Sequence, residues 1–516
     1  MRSGAAQQVM TVSDGAAAPN RLLITITVML ATIMQMLDTT IVNVALPHME
    51  GGLGATQDQI SWVLTSYIVA AAIITPATAW FAGRIGRKNL LVASLIGFTL
   101  ASLLCGAAGS IGQMVLFRVL QGVFGAALMP LSQSIMLDTY SRADTGRAMA
   151  IWGMGVMAAP ILGPTLGGYL TEEYNWRWCF YINLPIGILT MLGALTVIPD
   201  GVRNRDRKFD GLGFSFFALA IGATQLALDR GEHLGWLQSA EIQIEIALAA
   251  VGFYMFIVHS LTKASPFIDL GLFRDRNFVL CTLMTVMNGL VINGSTVLSP
   301  QLLQTELNYP VITAGLLMGP RGLTTMAAMW FYGRISNLVD TRLVIAAGLA
   351  ILGFTMYLMS GWSLAVGAKE IVMLSLFQGV GVGLIFPPTT SIAFSTLPAA
   401  LRTEASGFYA LVRNIGGAIG ISIVISQLTE LTQTNHAYLG EFMTPFRHIP
   451  DVAAPQGARG LRMMDLDITR QAGMIAYINV FWLLAIMSVA VAPLLLLVRP
   501  VGRASAPADP AAAAAH

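Results

Sequence analysis

Charge is scarce in this sequence. Only 11% of its 516 residues are Asp, Glu, Lys or Arg, against 55% that are hydrophobic, and the mean hydropathy is +0.69. A water-soluble fold carries about 25% charge. So few charges cannot cover this much apolar surface, which makes lipid the main solvent. Net charge is nearly absent too, at +2, and argues against a nucleic-acid partner. Cys105, Cys179 and Cys281 stand apart in apolar stretches with no CxxC pair, which argues against a disulfide scaffold or a thiolate metal site. His48, His233, His259, His436, His448 and His516 show no ligand spacing. No phosphate-binding glycine loop or nucleophile triad occurs, so no metal, other cofactor or ATP drive is expected, and an enzyme is the class that fits least.

Long apolar runs are what the chain has in quantity. A span needs roughly 20 mostly apolar residues, and fourteen such stretches follow one another from 22–47 to 472–498, including 310–336 and 403–429. This predicts an all-α polytopic membrane protein. Residues 1–21 read as a polar N-terminal tail rather than a cleavable signal, because the run that follows is long enough to span and contains Asp38. Residues 501–516, rich in Ala and Pro, read as a disordered tail. Basic residues favour the cytoplasmic side. With both termini placed there, the inner loops hold fifteen Lys and Arg, among them Arg84, Arg87, Lys88, Arg203, Arg205, Arg207 and Lys208, against seven outside. Four of those seven fall in one long outer loop, 430–471.

The chain repeats itself. Trp80-Phe81-Ala82-Gly83-Arg84-Ile85 returns as Trp330-Phe331-Tyr332-Gly333-Arg334-Ile335, 250 residues on (Arg84 to Arg334). Gln121-Gly122-Val123 returns as Gln378-Gly379-Val380, and Pro130 as Pro387, 257 residues on. Two six-helix halves are therefore expected, 22–199 and 266–500, with two inserted helices in 200–265. Such halves handle substrate near the midplane between them.

Charges inside spans are costly and point to function. Asp38 in the first span and Arg118 in the fourth lie roughly 10–14 Å below the outer surface at 1.5 Å per residue, and pair if their helices adjoin. A buried carboxylate parted from its arginine takes up a proton, because burial disfavours its charged form. The pair is thus either a proton-coupling site or a static ion pair that fixes packing. Arg321, after Gly319-Pro320, and Arg413, at the head of Arg-Asn-Ile-Gly-Gly, sit near mid-depth. They point to a cavity, with Gln35, Asn43, Gln121, Asn288, Asn293, Gln378 and Asn479 as further lining candidates. Three arginines against one acid make that cavity positive, suited to neutral or weakly acidic lipophiles; helix-packing bonds to carbonyls are the alternative. In the fifth span, Gly155, Pro160, Gly163, Pro164, Gly167 and Gly168 suggest a bent helix in close contact between the halves, a hinge or sliding surface. Gly83, Arg84, Gly86, Arg87 and Lys88 after the second span are either topology signals or a cytoplasmic gate.

These motifs resemble the major facilitator superfamily and, within it, the 14-helix EmrB/QacA-type drug:proton antiporters, over roughly 22–500. Leu37-Asp38-Thr39-Thr40-Ile41-Val42-Asn43-Val44-Ala45-Leu46-Pro47 is similar to the family's first-helix signature. Arg118-Val119-Leu120-Gln121-Gly122 is similar to its fourth-helix motif, whose arginine is tied to proton coupling. The Gly155–Gly168 run is similar to the motif that marks exporters. Trp176-Arg177-Trp178-Cys179-Phe180-Tyr181-Ile182-Asn183-Leu184-Pro185-Ile186-Gly187 matches the start of the sixth helix, and Leu228-Asp229-Arg230-Gly231 and Pro300-Gln301-Leu302-Leu303-Gln304 fit the EmrB side. One motif departs: Ala79 stands where the family has glycine, and Gly83 where it has the aspartate that helps latch the cytoplasmic side. The resemblance implies proton-driven efflux of hydrophobic drug-like compounds across a bacterial inner membrane. It also implies a periplasmic membrane-fusion adaptor and a TolC-like outer-membrane channel as partners; loop 430–471 is either a contact for the adaptor or a mobile loop with no partner. A dedicated exporter of one metabolite, siderophore, fatty acid or self-made antibiotic fits the same residues, and a non-transporting sensor is the rival from another class.

Overall fold

The computed structural model describes residues 20–141, 143–200, 208–232, 234–263, 265–442 and 458–499. Every regular element among them is helical. In lipid the backbone must satisfy its own hydrogen bonds, which leaves helices as the means of crossing. In chain order the spans are α1 (Arg21–Leu53), α2 (Gln59–Ile85), α3 (Arg87–Ala107), α4 (Ile111–Thr139), α5 (Thr145–Glu173), α6 (Trp178–Val197), α7 (Gly211–Arg230), α8 (Ala240–Thr262) and α9 (Arg276–Thr305). They continue as α10 (Val311–Ile335), α11 (Thr341–Met359), α12 (Ala368–Ser395), α13 (Arg402–Glu441) and α14 (Arg462–Leu497). Thirteen of these are long and apolar enough to cross a membrane. α10 has the length, 25 residues, but Gly319-Pro320-Arg321 and three threonines lower its mean hydropathy, although Ile312, Leu316, Leu323, Trp330 and Phe331 give it an exposed apolar face.

Local chemistry sets the breaks. α1 ends on Gly54, whose φ of +62° a side chain would strain, and Thr56 with Gln59 forms a capping box that starts α2. Gly86, at φ +92°, is the whole turn between α2 and α3. Ser110, Asp210, Asp275 and Asp340 accept backbone N–H bonds at the heads of α4, α7, α9 and α11. Thr75–Ala77 forms one 3₁₀ turn inside α2, at Pro76.

Helices α1 to α6 pack among themselves, as do α9 to α14, while α7 and α8 form a hairpin that lies against α2 and α13. Equivalent helices join the two sets: α2 and α4 against α13, and α10 and α12 against α5. The joints lie toward the end of the bundle where α2 finishes and α13 begins, called here the basic end. Ser134 and Thr403 are hydrogen-bonded at 3.0 Å, Ser406 donates to the Pro130 carbonyl at 3.0 Å, and a Cβ on Gly407 would sit 3.0 Å from the Thr75 carbonyl. Only the stretch of α2 from Thr75 onward makes the main contact with α13. The three cysteines are buried and unbridged.

One expectation changes. The stretch 430–471 is largely helix: α13 runs on to Glu441, and the following helix has begun at Ala458. Its polar residues lower the hydropathy but keep good helix formers, and the two extensions brace each other through His436 to Asp465 at 3.1 Å and Asn435 to the Ala472 carbonyl at 3.4 Å. Helix α13, at 40 residues, is about 60 Å long, twice the hydrocarbon thickness of about 30 Å, so the pair stands out from the membrane. The expected tails 1–21 and 501–516 fall almost wholly outside the described residues, as do Arg203, Arg205 and Arg207.

Candidate functional site

Asp38 of α1 is sealed within the N-terminal half, 1% exposed, and Arg118 of α4 is 0% exposed. Arg118 Nη1 donates to Asp38 Oδ2 at 2.7 Å and to Gln121 Oε1 at 2.7 Å. Gln121 Nε2 and Asn183 Nδ2 of α6 each donate to Asp38 Oδ1 at 2.8 Å. Arg118 Nε is taken by the Val63 carbonyl of α2 at 2.9 Å, and the guanidinium lies 4.3 Å from the Tyr67 ring centre. From α3, Ser102 accepts from Asn183 at 3.0 Å and donates to the Phe180 carbonyl at 2.9 Å. Five helices therefore converge on one carboxylate. Three donors point at its two oxygens, and protonation of the carboxylate weakens the charge-assisted bonds they make. Arg118 Nη2 and Asn183 Oδ1 are buried without hydrogen-bond partners among the described residues. They are spare bonding capacity next to the carboxylate.

The other candidates divide. Gln35 is buried one turn before Asp38, its Oε1 without a partner among the described residues. Asn43 and Asn479 are exposed, on α1 and α14. Asn288 is buried in α9, while Asn293 folds back to the Gly289 carbonyl at 2.9 Å. Gln378 of α12 is fully buried, and neither amide atom has a partner among the described residues. Arg321 reaches Thr296 of α9 at 2.5 Å. Arg413 donates to Met129 Sδ at 2.7 Å across the halves and lies 5.5 Å from the Phe386 ring centre. Neither arginine has a carboxylate partner among the described residues.

The glycines of α5 do something other than expected. A Cβ on Gly155 would meet Met29, one on Gly163 would overlap Thr40, and one on Gly167 would sit 3.1 Å from the Ile41 carbonyl. All three press α5 onto α1, within one half, and Thr40 adds a bond to the Ala159 carbonyl at 3.3 Å. Gly168 faces open space, and Pro160 and Pro164 are exposed on a helix that stays continuous. The contact of α5 with the other half uses different glycines. Gly146 meets Ser336, Gly153 meets Met329 and Pro387, and Gly322 of α10 receives Ile161.

At the basic end, Gly83 lies in the last turn of α2 with Arg84, and Gly86 makes the turn. Arg87 pairs with Asp138 at the end of α4, and Lys88 lies 3.8 Å from Asp200. Asp138 also receives Arg402 Nη1 of α13 at 2.8 Å, and that guanidinium donates to the Leu137 carbonyl at 3.1 Å. A carboxylate on α4 thus ties the α2–α3 turn to the opposite half, where Gly83 supplies none. The sequence reading missed Asp138, Arg402, Ser102, Tyr67 and Asn183 as members of these sites. Asn183 lay inside a quoted motif, but nothing in its spacing marks it as an Asp38 partner; only the crossing of α1 with α6 does that.

Paired helical halves around charged, buried side chains in a membrane bundle define a transporter architecture. The chain belongs to the Major Facilitator Superfamily, whose model matches residues 28–421. It is 36% identical over 478 residues to the multidrug export protein EmrB of Escherichia coli K12, covering 90% of this chain and 92% of that protein. It is 34% identical over 489 residues to the fatty acid resistance protein FarB of Neisseria gonorrhoeae, covering 92% and 96%. In fold it is similar to the proton:xylose symporter XylE, with a TM-score of 0.62 at 13% identity over 95% of this chain and 98% of that one.

Proposed function

We propose that the protein is a drug:proton antiporter of the bacterial inner membrane that expels hydrophobic, drug-like compounds by alternating access. The observation that carries this reading is the Asp38 site: three donors from α4 and α6 on a fully buried carboxylate of α1. Proton uptake cancels the charge those donors hold, frees Arg118 and loosens the crossing of α1 with α4 and α6. Proton loss draws them together again. Binding a proton is thereby linked to the packing of the half, which is the coupling an antiporter needs. The EmrB and FarB relatives support export of lipophiles, and the positive-inside rule supports a cytoplasmic basic end with both termini there. The joints at that end then make this the outward-facing arrangement.

Arg321 and Arg413, unmatched by carboxylates, favour neutral or weakly acidic amphiphiles over dications as cargo, and a fatty-acid-like exporter is the second reading they favour. The α13–α14 hairpin beyond the membrane, with Tyr438, Met463 and Leu466 exposed, is the natural contact for a periplasmic adaptor leading to an outer-membrane channel. The test is transport in proteoliposomes under an imposed pH gradient, with anionic, neutral and cationic lipophiles. Substrate-dependent proton flux in the opposite direction to the lipophile is expected. Lipophile movement indifferent to the gradient, or no flux with any compound, rejects antiport.

A further inference from the structure

At the basic end, α5 and α10 enclose a cavity of about 490 Å³, lined chiefly by Asp144, Arg147, Ile151, Trp330, Arg334 and Asn337. Each half supplies one wall. The two helices touch beside it, where a Cβ on Gly146 would lie 2.5 Å from that of Ser336. Arg147 stands in the first turn of α5 and Arg334 in the last turn of α10, both exposed. Neither makes an ion pair among the described residues. The one carboxylate in the lining, Asp144, is engaged by Arg21 Nη2 at 3.3 Å and by the Ser141 hydroxyl at 3.1 Å. Counting Arg21, three guanidiniums face one acid, and the positive end of the α5 dipole adds to them.

The rest of the lining is apolar in part. Trp330 is 50% exposed and stacks under Arg334, whose guanidinium carbon is 4.1 Å from the ring centre, and Phe331 beside it is equally open. Exposed Trp with Arg at a span's end is the pattern of the headgroup level of a bilayer, and basic pockets between spans hold anionic headgroups.

We propose that this cavity binds the phosphate of an anionic phospholipid of the adjoining leaflet, with Arg147 and Arg334 gripping it from opposite halves and Trp330 packed at the glycerol level. The aromatic pair selects a lipid over a free anion. Because each half donates one arginine, a seated phosphate braces α5 against α10 and holds the basic end closed; parting the halves separates the arginines and releases it.

The test uses the full chain purified into phosphatidylethanolamine nanodiscs and exchanged with phosphatidylglycerol, with bound lipid read by native mass spectrometry and the melting temperature followed in parallel. Wild type is expected to retain phosphatidylglycerol selectively and to melt higher with it. Arg147→Gln with Arg334→Gln is expected to retain roughly tenfold to thirtyfold less, and Arg147→Lys with Arg334→Lys to keep most of the effect. Equal retention of the two lipids by wild type overturns the proposal, as does undiminished retention in the Gln pair. Inorganic phosphate alone giving the same rise in melting temperature makes the occupant a soluble anion and also overturns it. Should the Gln pair fail to fold, the wild-type lipid preference and the Lys pair still decide.

Discussion

The two six-helix halves treat the same buried position in opposite ways. In the first, Gln121 of α4 is fully buried and bonded to Asp38 and Arg118. In the second, Gln378 of α12, its repeat 257 residues on, is just as buried, and its amide has no partner among the described residues. The glycine that follows each lets the backbones touch: Gly122 lies on the Tyr67 carbonyl of α2, and Gly379 on the Arg321 carbonyl of α10. In the 250-residue register Arg321 stands where α2 has Ala71, which also lies against Gly122, and in the 257-residue register Ser375 stands where α4 has Arg118, its hydroxyl turning back to the Ile371 carbonyl at 2.8 Å. One half pairs its charge and closes around it. The other carries its arginine on the neighbouring helix, without a carboxylate partner among the described residues. Repeated halves with equal helix packing have come to hold different chemistry: a carboxylate that answers to protons in the first, and unmatched cations that suit an amphiphile in the second.

Breaking the first half is expected to do most. Asp38→Asn removes the charge but keeps the shape, and proton-driven export in proteoliposomes should fall to background while the protein still folds and elutes as wild type. Arg118→Met leaves a buried carboxylate unpaired and should cost about 3 kcal/mol or more, whereas Arg118→Met with Asp38→Leu should recover much of it, because an apolar pair replaces a buried ion pair at little cost. Denaturation midpoints of the two proteins check this. In the second half, Arg321→Gln with Arg413→Gln should weaken export of anionic amphiphiles roughly tenfold, the worth of a charge-assisted hydrogen bond, and leave neutral compounds little changed. A uniform loss across charge classes would erase the contrast between the halves.

Smaller effects belong to the contacts outside the two sites. Asp138→Asn cuts the link from Arg87 to Arg402. Pairs this open to water are worth about 0.2–1 kcal/mol each, so the closed basic end should lose population a few-fold, read as a broader spin-label distance distribution between α4 and α13. The smallest concerns the α7–α8 hairpin. Asp210 accepts from Lys263 Nζ at 2.8 Å and meets His259 Nε2 at 3.0 Å. Burial pushes its carboxyl up, but these bonds and the Gly213 N–H outweigh that and leave it below the usual range. A depressed carboxyl stabilises the fold above its unfolded pKa of about 3.9, and that stability is lost as pH falls through the lower folded value. Acid unfolding of Asp210→Asn should therefore begin from a slightly lower stability and show a shallower decline below pH about 4.

The sequence carried the helices, the repeat and the charged pair, because hydropathy, self-similarity and the cost of intramembrane charge are local properties of the chain. It named Asp38 and Arg118 but not Asn183 or Ser102, whose polarity is common in helices and whose role comes only from how α1, α3 and α6 cross. It read Gly155, Gly163 and Gly167 as an interface between halves. Small residues announce close packing without saying which neighbour is close, and here the neighbour is α1. It placed a loop at 430–471 because hydropathy reports lipid rather than helix, and a helix that leaves the membrane changes solvent without changing backbone.

Proton release from purified protein on ligand addition tests the central claim most directly, measured for wild type, Asp38→Asn, and Arg321→Gln with Arg413→Gln. The account predicts release from wild type and none from Asp38→Asn even where it still binds ligand. It also predicts reduced ligand affinity but intact release per bound ligand when the two arginines are replaced. Equal release from Asp38→Asn and wild type would contradict it.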